Sequence, residues 1–419
     1  MNIAVAQSGG PTCAINASLL GVFRHATKYD EIDIVYGSVN GIEGLILNNL
    51  VNLSDIIADD DDVELIRQTP STVLGSCRYK LPDYKTNSSV YETILANLRA
   101  HNISAFFYIG GNDSMDTVMK LDRYFKSKNI DIKVIGIPKT IDNDLPLTDH
   151  TPGFGSAAKY VATTMQEIVR DSSVYSIASV TIVEIMGRDT GWLTASSATL
   201  RANGEVAPHL IYLPEKPFSV KQFLEDVRKA QEKYYAVVVA VSEGISLDPK
   251  EIGREFQSGK NDSFGHKYLA GVGKALEEIV AREIKCKVRS IELNVMQRCS
   301  SHLSSKRDIT EAERIGGAAV KAAIDGHSGK MMAFHRVANH PYNIRIDLVD
   351  VDKVANRVKY FPTEWICENG HDVTEETIEY CLPLLQGEQN ICIKNGLPQH
   401  FVLKCALPRE NSNAELLKS

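Results

Sequence analysis

The stretch "VIGIPKTIDNDLPLTD", Val134 to Asp149, begins as an apolar run and ends in a loop that holds Lys139, Asp142 and Asp144 within six residues. The apolar part reads as a buried strand, and the charged loop is either a turn that solvates itself or a place where chemistry happens. Working outward, the same pairing of a short apolar run with a helix-period segment recurs. Ile3 to Gln7 reads as a strand and "AINASLLGVFRHATKY" as the helix after it; "IDIVYG" (Ile32 to Gly37) is a second strand. "YETILANLRAHN" reads as a helix before the strand in "SAFFYIGGND", and a helix over Asp113 to Lys126 precedes "IKVIGIP". Strands alternating with helices of this length predict a parallel sheet covered on both faces.

The alternation restarts near residue 155. "FGSAAKYVATTMQEIVRDSS" is a helix, "SIASVTIVEI" a strand, "TGWLTASSATLRA" a helix and "HLIYLP" a strand. A helix over Val220 to Lys233 and the strand in "YAVVVAVSEG" follow. "KVRSIELNVMQR" reads as a strand leading back towards a cleft, and a helix over Glu311 to Asp325 comes next. Beyond residue 340 the pattern loses its period. The acidic run Asp59 to Asp62 reads as a solvated loop or helix cap, with no function attached.

A chain of 419 residues exceeds one small core, so two domains are expected. With 46 basic and 53 acidic residues the net charge is -7, which argues against nucleic acid as the main partner. A local basic pocket for a small phosphorylated ligand stays open. The eight cysteines contain no C-x-x-C pair, so neither zinc nor a thioredoxin-like site is indicated, and a reducing compartment is expected. "MNIAVAQSGG" enters a strand without a signal-peptide pattern, and no apolar stretch has the length to cross a bilayer; a cytoplasmic protein with no membrane partner is the expectation.

In open parallel sheets, ligands sit outside the carboxyl ends of the strands. Three polar loops fall there: "SGGPTCAINAS" with Gly9 and Gly10, "GGNDSMDT" with Gly110 and Gly111, and "KTIDND". Glycine pairs let backbone N–H groups approach an anion, and a following helix N-terminus favours negative charge. One such loop would be a tight turn; three on one edge point to a phosphate site. Two other glycine patterns fail. "YLAGVGKA" has Tyr268 where a P-loop needs glycine and Ala275 where it needs Ser or Thr. "GFGSAA" from Gly153 follows Pro152 and a polar loop where a dinucleotide site needs a strand. Both read as helix starts or turns.

Gly9–Gly10 followed by Asn16–Ala17, then "GGNDS", "PKTIDND", "MGRDTGW" and "SEG", resemble the phosphofructokinases in order and spacing, over residues 3 to roughly 330. The resemblance implies two similar doubly wound, mostly parallel α/β domains with the active site in the cleft between them. Residues 1–150 with about 296–340 would form the donor-binding domain, and 151–295 with about 341–419 the sugar-phosphate domain. Phosphoryl transfer to a sugar hydroxyl needs a base at that hydroxyl and positive charge around the phosphates. By resemblance, Asp142 is the base at the C1 hydroxyl, Thr140 bonds the transferring phosphoryl group, and Asp144 positions the base and Mg2+. The alternative for these acids is an Asx-turn network.

The donor is argued from two side chains. ATP-using relatives resemble "GGDGS" and "GTIDND", with glycine where this chain has Asp113 and Lys139. An aspartate there fills space and repels an α-phosphate, whereas a lysine can bind a small, highly charged donor. The Asp–Lys combination resembles the branch that uses pyrophosphate. The function implied is reversible Mg2+-dependent phosphorylation of fructose 6-phosphate, with ATP-dependent phosphofructokinase and a non-catalytic sugar-phosphate-binding subunit as alternatives. Gly9, Gly10, Gly110, Gly111 and Arg78 would serve the donor, and Asn112, Asp113 and Asp144 the metal. On the sugar side the resemblance assigns Met186, Gly187, Arg188, Glu243 and Arg298, with Arg289 supplied across a subunit interface in a homodimer or homotetramer.

The sequence also departs from the family. Asn112 replaces an aspartate that helps hold Mg2+. Val295 stands where a histidine or tyrosine contacts the sugar, Ser179 where ATP-type members have arginine, and Cys299–Ser300 where a glycine pair is usual. These changes keep a larger sugar, such as sedoheptulose 7-phosphate, as a second substrate hypothesis. His266, in "SFGHKYLAGVG", reads as structural in preference to a direct role.

Overall fold

Runs of Val, Ile, Phe and Ala too short for helices build two sheets, described from a computed structural model over residues 1–247 and 271–403. The first sheet starts with β1 (Asn2–Gln7), β2 (Val35–Ser38), β3 (Leu50–Asn52), β4 (Ile103–Gly110) and β5 (Lys133–Pro138). The second holds β6 (Ser179–Ile185), β7 (Leu210–Tyr212), β8 (Ala236–Ser242) and β9 (Lys287–Glu292). The chain then returns to the first sheet with β10 (Lys330–Asn339) and β11 (Tyr342–Asp350).

The strand orders are β11-β10-β5-β4-β1-β2-β3 and β7-β8-β6-β9. Within these two sheets, among the described residues, only the β2–β3 and β10–β11 pairs are antiparallel, and Ile393–Lys394 pairs antiparallel with Leu397–Pro398 in a separate short ribbon. β1 sends its connection towards β2 and β4 sends its own towards β5, so the order reverses between β1 and β4. A crevice therefore opens outside their carboxyl ends. Core residues such as Val5, Phe107, Ile135 and Ile137 are fully buried beneath the helices that cover the first sheet.

The helix Lys306–Ile324 packs against the helix Ile15–Ala26, with backbones close enough that a Cβ on Gly21 or Gly316 would strike a carbonyl oxygen of the facing helix at 2.0 or 2.2 Å. It begins five residues before the expected start at Glu311, because Ser305 caps it by accepting a hydrogen bond from the Asp308 N–H. The expected helix in "TGWLTASSATLRA" is α-helical only over Trp192–Ser196 and a tighter 3₁₀ turn over Ser197–Asn203. Ser196, Ser197 and Thr199 each bond a carbonyl three residues back, at 2.6–2.7 Å, which favours the tighter winding. Asp59 is a helix cap, accepting from the Asp62 N–H.

The tail departs from the expected division. Strand β11 belongs to the first sheet, so residues 342–350 do not join the second layer. Phe401 and Leu403 also pack on the first sheet's core, while Ile378, Tyr380 and Cys381 pack with Phe154 and Trp192 on the second sheet's side. An aperiodic tail offers no facing pattern, so only packing could assign its pieces. His266 lies outside the described residues. Among the described residues, no helix is long and apolar enough to cross a membrane.

Candidate active site

The loops after β1, β4 and β5 meet those after β6 and β8 around a cleft of about 530 Å³. Of the residues singled out above, Gly9, Gly10, Arg78, Gly111, Asn112, Asp113, Lys139, Thr140, Asp142, Asp144, Met186, Arg188, Glu243 and Arg298 line it. The three glycine-bearing loops thus converge as their positions at strand ends require. Gly153 and Gly273 instead open helices that are capped by the carboxylates of Asp308 and Glu184.

Lys139 follows β5 directly, and its backbone N–H bonds Gly110 O at 2.9 Å. Its side chain is 2% exposed and donates to Gly10 O at 2.6 Å. Gly9 has φ +76°, and a Cβ there would lie 3.2 Å from the ammonium, so the loop comes close only as glycine. Burial pulls the Lys139 pKa down to about 8, with Arg298 and Arg78 adding to the shift and Asp142 and Asp144 opposing it.

Asn143 lies between the two acids with φ 54°, a left-handed turn that Asn tolerates. Thr140 Oγ1 accepts from the Asp142 N–H at 3.1 Å, and Thr190 donates to Asp142 O at 3.1 Å. Asp142 sits deep in the cleft, yet part of its surface stays open to it. Burial, then the charges of Asp144 and Glu243, push its pKa up to about 7 against the pull of Lys139. Asp144 is also raised, by burial, while Lys359 and Lys139 oppose the rise. Its Oδ1 is buried and accepts no hydrogen bond.

On the second sheet's side, Gly187 N–H donates to Glu243 Oε1 at 3.2 Å and Met186 N–H to Gln297 Oε1 at 3.2 Å. A Cβ on Gly244 would lie 2.0 Å from Arg188 O, so the two turns fit only with glycine there. Burial raises the Glu243 pKa, offset by the Gly187 N–H and by Arg188 and Arg298.

Several expected residues stand elsewhere. Gly110 ends β4 and supports Lys139 from outside the cleft lining. Arg289 lies on β9, half exposed, and pairs with Asp171 at 3.3 Å, outside this chain's own cleft. Asn16 is buried between Gln7 and Thr69 and braces the loop from behind. Asn112 is committed to a neighbouring segment: its Oδ1 accepts from Asn356 N–H at 2.5 Å and its amide donates to Arg357 O. Asp113 is half exposed and paired with Lys80 at 3.0 Å. Val295 is 46% exposed and does not line the cleft.

The cleft also takes residues that sequence reasoning passed over. Asp189 follows Arg188 inside the quoted "MGRDTGW" and was within reach of the motif. Lys80, two residues after Arg78, could have been found from the basic pair. Asn356 and Val358 come from the aperiodic tail and carried no signal. Among the described residues, no group of three or more His, Cys, Asp and Glu is arranged as a metal site.

Residues 2–323 match the family described as Phosphofructokinase. The chain is 38% identical to a pyrophosphate–fructose 6-phosphate 1-phosphotransferase of Xanthomonas campestris over 96% of each chain. It is 37% identical to the enzyme of the same name from Halomonas elongata, over 95% of each. Its fold matches the crystal structure of a pyrophosphate-dependent phosphofructokinase from Marinobacter aquaeolei with a TM-score of 0.85, at 36% identity and over 98% of each chain. With the two-sheet fold, the cleft and the motifs all in agreement, the chain belongs to the phosphofructokinase family.

Proposed function

We propose that the protein transfers a phosphoryl group reversibly from pyrophosphate to the C1 hydroxyl of fructose 6-phosphate, giving fructose 1,6-bisphosphate and phosphate. The observation that carries this reading is one cleft holding both a recessed carboxylate, Asp142, and an enclosed ammonium, Lys139. Asp142 takes the proton from the C1 hydroxyl as its oxygen bonds the transferring phosphorus, the bridging P–O bond breaks, and phosphate leaves. Thr140 holds the transferring group. Lys139 and Arg78 bind the donor beside the Gly9–Gly10 loop, and Arg188, Glu243 and Arg298 bind the sugar phosphate. The first sheet's loops thus serve the donor and the second sheet's loops the sugar.

Two things support pyrophosphate over ATP. Asp113 with its partner Lys80 occupies the donor end of the cleft, where a nucleotide would need room. The relatives compared above carry names that specify pyrophosphate.

Mg2+ fits the acceptor-side acids. The bare buried oxygen of Asp144 suits a hard cation, and Mg2+ commonly takes one or two carboxylates and completes its shell with substrate phosphates and water. Asp144 would hold it, with Asp142 and Asp189 nearby, and Asn112 and Asp113 would lie on the donor side of the same cleft. When bound, the ion neutralises phosphate charge in the transition state.

We further propose a homo-oligomer in which Arg289 reaches a neighbouring copy's cleft. Tyr175 and Ile177, both at least half exposed, line an apolar hollow beside it. The function is tested by following fructose 1,6-bisphosphate formation from fructose 6-phosphate and Mg2+ with pyrophosphate and ATP in parallel. Turnover with pyrophosphate alone is expected. Turnover with ATP alone would overturn the donor assignment. Silence with both, but activity on sedoheptulose 7-phosphate, would overturn the sugar assignment.

A further inference from the structure

We infer that Lys359 is a positioning residue for the loop that carries Asp142 and Asp144, delivered by a strap, residues 351–361, that lies beyond the family-matched region. The inference rests on the proposed function only for the meaning of turnover.

The three hydrogens of the Lys359 ammonium have three acceptors on that loop: Asn143 Oδ1 at 3.0 Å, Thr148 O at 3.2 Å and Asp149 O at 2.8 Å. Its backbone N–H donates to Asp144 O at 2.7 Å. The other side of the residue is tied to the second sheet's helix, since Trp192 Nε1 donates to Lys359 O at 3.1 Å and the ammonium lies 4.9 Å from the Trp192 ring. The loop needs such bracing. Leu147 holds φ 63°, a left-handed conformation that costs energy in a bulky residue and persists only where surroundings enforce it, next to the left-handed turn at Asn143. An enclosed ammonium is itself expensive, and burial lowers its pKa to about 7. A Met or Leu would fill the same space without that cost, but neither could hold three carbonyl-type oxygens.

Three residues earlier the same strap grips the donor side. Asn356 and Arg357 use their backbone to hold Asn112, and Asn356 Nδ2 donates to Asp116 Oδ1 at 2.9 Å. Asn112 and Asp116 lie one turn apart on the helix Asn112–Ser127, whose N-terminus faces the cleft. A span of three residues, at most roughly 11 Å, therefore fixes the donor helix and the base-bearing loop relative to each other. Phosphoryl transfer depends on that separation, because a misplacement of roughly 1 Å can cost about 10²-fold in rate. Tyr380 adds to the brace from below: its hydroxyl donates to Asp149 O at 2.6 Å and accepts from Asn143 Nδ2 at 2.8 Å.

The test compares wild type, Lys359→Met, Lys359→Arg and Tyr380→Phe by steady-state kinetics, thermal melting and amide exchange over residues 140–149. Lys359→Met is expected to lower kcat roughly 10- to 100-fold while both KM values stay within about threefold. Lys359→Arg, which keeps the charge and the donors, should recover most of the rate. Tyr380→Phe should lose less than Lys359→Met, and the loop amides should exchange faster in both. A kcat for Lys359→Met within about twofold of wild type would overturn the inference, as would an Arg variant no better than the Met one. If Lys359→Met does not fold, a Tyr380→Phe enzyme with wild-type kcat and wild-type loop exchange overturns it. Should the wild type turn over neither donor, the proposed function fails by itself. The positioning role is then decided by exchange alone, and unchanged loop protection in the variants counts against it.

Discussion

At the scale of the residue, the proposed mechanism rests on two groups, Asp142 and Lys139, and each can be probed singly. Asp142→Asn keeps shape and removes the base, so kcat should fall about 10²- to 10⁴-fold with sugar-phosphate affinity kept, as titration of the variant would check. The same substitution removes a carboxylate crowded by Asp144 and Glu243, so the melting temperature should hold or rise. The pair also predicts a narrow pH window. Asp142 acts ionised and its pKa is pushed up to about 7, while Lys139 acts protonated and is pulled down to about 8. The pH profile of kcat/KM should rise through the first value and fall through the second. Lys139→Arg should remove the part of the alkaline fall that Lys139 contributes and leave the part due to Lys359, whose pKa burial lowers to about 7. The sequence made these two residues legible because they lie in one contiguous motif at a strand end. It gave no hint of Lys359, which acts from more than two hundred residues away through backbone oxygens that have no sequence signature.

Elements decide how the loops meet. The turns after β6 and β8 touch through Gly244, where a Cβ would lie 2.0 Å from Arg188 O. Gly244→Ala must push Arg188 and Glu243 apart, so it should raise KM for the sugar phosphate and cost about 1–3 kcal/mol of stability, measured by kinetics and by denaturant unfolding. The motif reading found "MGR" and "SEG" separately; their contact depends on β6 and β8 being neighbours, which strand order alone determines. Helix boundaries show the same division. The start of the helix Lys306–Ile324 was encoded in Ser305 and Asp308, a local cap, and could have been read. The switch to 3₁₀ winding after Trp192 follows from serine and threonine hydroxyls bonding back along the chain, a competition that periodicity does not register.

Across the whole molecule, a buried ionic cluster joins the active-site loop to the helix that returns to the first sheet. His150 is 2% exposed, with Nδ1 at 2.8 Å from Asp149 and Nε2 at 2.8 Å from Glu311. Burial alone would lower its pKa, but the hydrogen bonds and charges of the two acids outweigh it and raise the value. Asp149, held also by Arg336 at 2.9 Å, is lowered to about 2. A histidine raised in the folded state adds stability that is fully present below its unfolded value of about 6.5 and lost as pH rises through the folded one. Wild-type melting temperature should therefore decline above that point, and His150→Gln should be less stable near pH 6 by about 3–5 kcal/mol, with the difference shrinking at higher pH. A constant difference across pH would show that His150 contributes packing alone, through its stack on Phe334.

The sequence by itself determined the alternation of strands and helices, the loops at strand ends and the motif residues Lys139, Thr140, Asp142, Asp144, Arg188 and Glu243 that come together around one cleft. Each of these rests on local periodicity or on contiguous residues, and local information survives in a linear string. Only the tertiary structure decided that Asn112 is engaged by Asn356 and Arg357, that Arg289 lies outside its own chain's cleft, that β11 joins the first sheet, and that the tail crosses back to bond the loop holding Asp142 and Asp144. Those outcomes depend on which surfaces of distant segments pack together, and on backbone carbonyls that every residue carries alike.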